Sequence, residues 1–173
     1  MTIKKYILAF LNGILLLTVL MLLLNELTYF EIKNQQVKSF IYFGILVLPM
    51  LTLTFSLVFL KKTTRKVMGS ILPILTLIGI FIIGPKNIIF SSSTWKTQSV
   101  LFQDKNLNFK KVEFQMQDVG NFGYNKRTVE VTYLTDFFMI VKPVGEYINE
   151  KNEWIKIDEE INELGLKLSL IHI

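Results

Sequence analysis

The side chains in this sequence with most capacity for chemistry are carboxylates. Asp104, Glu113, Asp118, Glu130 and Asp136, together with a run from Glu146 to Glu163, all fall in the second half of the chain. A pair of carboxylates can divide acid and base roles between them, as in glycoside hydrolysis. Glu113 and Glu130 occupy the polar positions of two neighbouring alternating segments, which is where such a pair would approach across a sheet. The competing reading is a solvated strand face, where each acid meets only water. Glu159, Glu160 and Glu163 read as the exposed face of a short helix over Asp158–Leu164. There Asp158 would cap the first turn and Gly165 would end the last.

Other catalytic constellations lack residues. His172 is the sole histidine and cysteine is absent. A Ser-His-Asp relay would rest on His172 alone. A zinc site needs more histidine or cysteine than the chain has. Neither a metal nor a cofactor is expected. The most unusual local stretch holds Gly120, Phe122, Gly123, Tyr124 and Arg127. Glycine loops that cradle phosphate run into a helix amino end, whereas this one runs into an alternating segment. Two aromatics beside an arginine have the composition of an interface anchor. The expectation is a long hairpin turn; the functional alternatives are a tip that touches a partner and, behind it, a small-ligand site.

The elements that must position these residues divide the chain. Tyr6–Leu24, Phe40–Leu60 and Val67–Ile83 are apolar and contain no Asp, Glu, Lys, Arg or His. Each is close to the roughly 20 residues a helix needs to cross a bilayer. The first run exceeds the signal-peptide core of about 7–15 residues and no small-residue cleavage pattern follows, so it reads as a retained anchor. The fold class is therefore a membrane α-helical region of three transmembrane helices, residues 1–85, followed by a small β-rich or α+β extramembrane domain, residues 86–173. Ala9 and Gly13 share a helix face, with Asn12 beside them, and Thr52 and Ser56 share another. Small and hydroxyl side chains at that spacing let membrane helices pack closely and hydrogen-bond. Pro49 and Pro73 each remove a backbone donor within a span, and Pro49 predicts a kink.

Between the first two spans, Asn25–Lys38 reads as a mixed-charge loop with Tyr29 and Phe30 at the lipid interface. After Gly84-Pro85, a stop signal, Asn87–Thr97 reads as a short connector. The pattern then alternates. Strands are predicted over Gln98–Gln103, Lys110–Gln117, Arg127–Thr135 and Phe137–Val141. Tyr147–Asn149 with Glu153–Ile157 suggests a second hairpin, and Leu166–Ile173 a last strand.

The formal charge of +5 is uneven. The first 85 residues carry 8 Lys/Arg and 2 Glu, a net of +6; the last 88 carry 11 and 12, a net of −1. The folded domain thus has no basic footprint for nucleic acid. Lys4, Lys5, Lys61, Lys62, Arg65 and Lys66 flank one side of the spans and only Lys33 and Lys38 the other. The positive-inside rule then places the amino end in the cytoplasm and the second domain outside, in the cell (inner) membrane of a bacterium, an origin suggested by composition. The leading expectation is a non-enzymatic accessory or structural subunit of an envelope complex. Its partners would be the lipid bilayer and other membrane or envelope proteins, or a second copy. The alternatives are a carboxylate-dependent membrane enzyme acting on lipid or glycan, and a small homo-oligomeric transporter or channel subunit. The uncharged spans disfavour the last, since ion pathways place ionisable groups at membrane depth.

Overall fold

The computed structural model describes residues 2–144 and 154–166, apart from the side chains of Thr2 and Phe122. The expected strands at Tyr147–Asn149 and beyond Leu166, the turn at Glu150–Asn152, and His172 lie outside the described residues. Two compact units form. One comprises the chain to Leu27 with Gln36–Ser92; the other comprises Thr28–Gln35 with the chain from Ser93.

The first unit holds α1 (Thr2–Leu27), α2 (Gln35–Phe59), α3 (Thr63–Ile83) and the short α4 (Pro85–Phe90). The three long helices have 26, 25 and 21 residues. At about 1.5 Å per residue each is long enough for a hydrocarbon core of about 30 Å. Gly84, at φ +88°, breaks α3 from α4, and Pro85 starts α4, where its missing N–H costs nothing.

The outward surface of the bundle is apolar: Phe10, Leu16, Leu17, Met50, Leu51, Leu75 and Phe81 are exposed. Its interior mixes large apolar side chains, Leu15, Leu22, Ile41, Tyr42 and Ile45, with the hydroxyls of Thr18, Thr52, Ser56 and Ser70. Large apolar groups outside and hydroxyl groups between the helices suit a bundle solvated by lipid tails. The helices converge at Gly69. A Cβ there would lie 2.7 Å from Ser56 Oγ and 2.9 Å from Leu8 Cδ2. Ser70 Oγ donates to Ser56 Oγ at 3.2 Å, and Ser56 Oγ donates to the Lys66 carbonyl at 3.1 Å. At the opposite end, Asn25 donates to the Tyr42 hydroxyl, which in turn donates to Glu26. Tyr42 is buried.

The second unit is a six-stranded antiparallel sheet of order β1-β5-β4-β3-β2-β6. The strands are β1 (Phe30–Ile32), β2 (Trp95–Asp104), β3 (Lys110–Asp118), β4 (Tyr124–Tyr133), β5 (Phe138–Pro143) and β6 (Trp154–Glu160). Three sequence expectations are corrected. Asn25–Lys38 is not a loop: Phe30–Ile32 pairs with Phe138–Ile140 as an edge strand of the sheet. Its apolar residues Phe30 and Ile32 alternate around Glu31, but a three-residue strand is too short for periodicity to reveal. The short connector after Gly84-Pro85 is part helix, α4, followed by a strand that begins at Trp95.

The helix expected over Asp158–Leu164 is a strand and a turn. So short a segment gains fewer than two turns, an unfavourable nucleus with little propagation. The free edge of β2 offers its backbone a better set of partners. Glu160 and Glu159 pair with Ser99 and Val100, and the Ile161 and Asn162 amides both donate to the Gln98 carbonyl. Asp158 takes φ +51° at a register shift in this pairing, which is not a helix-capping conformation.

Candidate functional site

The register of the β3–β4 hairpin decides which side chains meet. Asp118 pairs with Tyr124 and Glu113 with Val129, so odd positions face odd positions across the pair. Directly opposed residues share a face. Glu113, Gln115 and Arg127 therefore lie on one face with Val129 and Val131. Glu130 lies opposite Val112 on the other. The expected approach of Glu113 to Glu130 does not occur. Glu130 instead pairs with Lys110 at 3.3 Å, which also lies 3.8 Å from Asp104 and over the Trp154 ring.

Glu113 is 1% exposed. Its Oε2 accepts from Thr97 Oγ1 at 2.8 Å and from Gln115 Nε2 at 2.9 Å; its Oε1 accepts from the Tyr133 hydroxyl at 2.8 Å. A buried carboxylate costs a great deal unless donors replace water, and three donors converge on this one. Burial first, and then the charge of Glu113 and its hydrogen bond, hold the Tyr133 phenol well above the ordinary tyrosine range. Tyr133 is thus a fixed proton donor. Gln98 is fully buried at a register shift in β2, and its Oε1 has no partner among the described residues.

Gln115 links this cluster to a second one. Its Oε1 accepts from Arg127 Nε at 3.0 Å and Nη2 at 2.8 Å. The remaining guanidinium edge grips Glu31 through bonds of 2.7 and 2.6 Å. Arg127 also stacks over Trp95 at 4.0 Å. A planar fork that satisfies two acceptors and an aromatic face is a role lysine cannot fill. Arg127 was expected at the hairpin tip. The strand carries it three residues past the turn and commits it to the sheet face.

The connector between α1 and α2 is tied to the sheet unit at several points. Phe30 packs on Phe138 with ring centroids 5.2 Å apart, Glu31 binds Arg127, Lys33 sits 4.3 Å above the Tyr133 ring, and Gln35 Oε1 accepts from both the Thr94 amide and hydroxyl at 2.9 Å. Beside the Arg127–Glu31 pair opens a cleft of about 490 Å³, edged by Tyr29, Val141 and Lys142.

The tip itself is tight. The Gly120 amide donates to Asp118 Oδ1 at 2.7 Å, and Gly120 and Gly123 take φ of +64° and +90°. Those angles are open to glycine at low cost, which explains the two glycines without a ligand. Tyr124 is partly exposed on the first residue of β4, opposite Asp118. Phe122 contributes only its backbone to the description.

Among the helix residues singled out by spacing, Thr52 and Ser56 are fully buried. Thr52 donates to its own helix at Leu48. Asn12 likewise donates to Leu8, one turn back along α1. A Cβ on Gly13 would meet nothing within 4 Å, so its face of α1, shared with Ala9, is not where the bundle closes. Sequence reasoning missed Gly69, Ser70, Glu31 and the burial of Glu113. For Gly69 the available signal was its adjacency to Ser70, a small pair one turn from the basic loop. Among the described residues no group of three or more His, Cys, Asp or Glu side chains could hold a metal. No protein-family model matches the chain, and neither a curated protein nor a solved structure matches it.

Proposed function

We propose that this chain is a three-span integral membrane protein whose extracytoplasmic sheet domain docks onto another envelope protein, as an accessory or structural subunit of a complex. One observation carries the docking reading. The polar groups of Glu113, Gln115, Arg127 and Glu31 are spent on one another and on their neighbours, while Leu107, Phe109, Leu134 and Phe137 stand 41–51% exposed on two neighbouring turns. The turns adjoin, because the Tyr133 amide donates to the Phe109 carbonyl at 2.9 Å. A clustered apolar surface on a water-facing domain is a feature of interaction sites.

The membrane reading is supported by the length of the three apolar helices and by their apolar outward surface. The orientation is supported by the six basic residues at the Lys4 and Lys61–Lys66 end. The topology is self-consistent. β1 precedes α2 and β2 follows α3, and both strands belong to one sheet, which is the order expected if both helices cross. The carboxylate-enzyme alternative draws no support from Glu113, which is closed to a substrate and already holds three donors.

The test is affinity purification of the full-length protein from its host after brief cross-linking, beside L134D and F137D variants. The expected result is a stoichiometric membrane or envelope partner that both variants lose while staying in the membrane. Recovery of the protein alone, or a partner indifferent to both substitutions, refutes the docking reading.

A further inference from the structure

At the Lys4 end of the bundle, a cavity of about 280 Å³ is lined by Lys4, Lys5, Lys61, Lys62 and Arg65, with Phe59 and Leu60 as its apolar wall. No acidic side chain belongs to that described lining. The same cavity receives the amino end of α3, which makes its electrostatic situation more extreme. A helix amino end carries about half a positive charge and favours anions. α3 begins after Lys62 without a side-chain cap, and its first turn holds no acid. Instead Arg65 and Lys66 sit in that turn, their amides folding back on the Lys62 carbonyl. Lys4 lies 5.3 Å above the Phe59 ring, which draws the amino-terminal segment of α1 over the cavity.

The positive-inside rule accounts for basic residues on one side of the spans, but only for their number. It does not ask that five of them line one concavity together with an uncapped helix amino end. We infer that this cavity is a binding site for a phosphate-bearing anion, with the cations holding the phosphate, the helix amino end adding its partial charge, and Phe59–Leu60 receiving any apolar portion. Two sources share that chemistry: the head group of an anionic phospholipid, and free phosphate. Basic pockets between helices on the cytoplasmic side are suited to the first. This inference does not depend on the partner-docking reading. Its phosphate arm does not depend on membrane insertion either.

The experiment uses the full-length protein in a neutral detergent, observed by native mass spectrometry during titration with phosphatidylglycerol, phosphatidylcholine or inorganic phosphate. The decisive comparison is R65Q against K66Q. The two remove the same charge at adjacent positions, but Arg65 lines the cavity and Lys66 does not. The expected result is one equivalent of phosphatidylglycerol bound in preference to phosphatidylcholine. R65Q should weaken it about tenfold, the loss of one charge-assisted contact, and K66Q much less. K62Q, at the uncapped end, should act like R65Q. Phosphate binding that shows the same variant dependence and displaces the lipid would assign the site to the free anion. Lipid binding that phosphate does not displace would assign it to the head group. Equal binding of the two lipids with no phosphate binding would overturn the inference, and so would equal effects of R65Q and K66Q.

Discussion

Replacing Arg127 with alanine should unsettle the sheet unit far more than replacing its ion-pair partner Glu31, although both substitutions destroy the same salt bridge. The two side chains are each 20% exposed, so the pair is worth little more than a good surface bridge, about 1 kcal/mol. E31A loses that and leaves Arg127 still bonded to Gln115 and stacked on Trp95. R127A loses the bridge and the stacking, worth about 0.5–1 kcal/mol. It also strands the Oε1 of Gln115, a residue 1% exposed, at about 1–3 kcal/mol. The expected costs are about 1 kcal/mol for E31A and about 3 kcal/mol for R127A, with R127K recovering less than half because lysine lacks the fork. Both tryptophans, Trp95 and Trp154, lie in the sheet unit, so fluorescence-monitored urea unfolding of the full-length protein in detergent reports that unit alone. With a slope of about 1–2 kcal/mol per molar urea, R127A should lower the midpoint by about 1.5–3 M and E31A by about 0.5–1 M. In the double variant the two costs should fall short of additive by about 1 kcal/mol. Equal costs for the two single variants would refute the assignment of Gln115 as the group Arg127 chiefly serves.

Raising the pH should destabilise the sheet through Tyr133. The unfolded phenol ionises near its ordinary value of about 10, the folded one only well above it. The contribution is therefore intact below pH about 10 and lost as pH climbs toward the folded value, because the unfolded state gives up its proton first. The urea midpoint should fall above pH about 10 in the wild type and less steeply in Y133F, and parallel curves would contradict this. Truncating Glu113 to alanine leaves Thr97, Gln115 and Tyr133 without their acceptor and should cost about 2–4 kcal/mol in the same assay, whereas E113Q, which keeps an acceptor, should cost less. In the helical unit, G69L forces atoms into a space already closed at 2.7–2.9 Å by Ser56 and Leu8, and should cost about 1–3 kcal/mol by thermal loss of helical circular dichroism. G79L, where a Cβ would meet nothing within 4 Å, should be silent.

The helices were legible because a span is read from composition over some twenty residues, and no local detail can disguise it. The β3 and β4 strands were legible for a similar reason, since each alternates over a full strand length. Their relative register was not. In β3 the apolar positions are Val112, Phe114 and Met116, and in β4 they are Val129 and Val131. Whether these sets share a face depends on whether the turn between the strands holds an odd or an even number of residues, and one residue of slip inverts the answer. The turn runs from Val119 to Gly123, so the sets fall on opposite faces and Glu113 and Gln115 are buried beside valines. Alternation alone had made them solvent-facing. Arg127 followed the same error. Read as part of a glycine-rich tip, it is three residues inside a strand whose pairing begins at Tyr124. The Asp158–Leu164 helix failed differently. Its capping residues were sound local evidence, but local propensity loses when a neighbouring strand has an open edge.

The Glu31–Arg127 contact joins residues 96 apart in sequence, with two of the three long helices between them. That separation constrains assembly as well as structure. β1 is three residues long and cannot be stable by itself; its partner β5 does not exist until the chain has passed α2, α3 and most of the sheet. Through that interval Glu31, Lys33 and Gln35 wait without the partners they have in the finished fold. Closing the connector over Tyr133 and Thr94 is thus a late event, and long-range closure of this kind is slow. If α2 and α3 both cross a membrane, the closure also checks the insertion. With only one of them across, β1 and β5 would stand on opposite sides, β5 would lack its edge strand and the Arg127 fork would lack its carboxylate. The polar network then does more than stabilise a sheet. In that case the finished domain depends on both helices crossing, since Glu31, Lys33 and Gln35, at alternate connector positions, would find their partners only then.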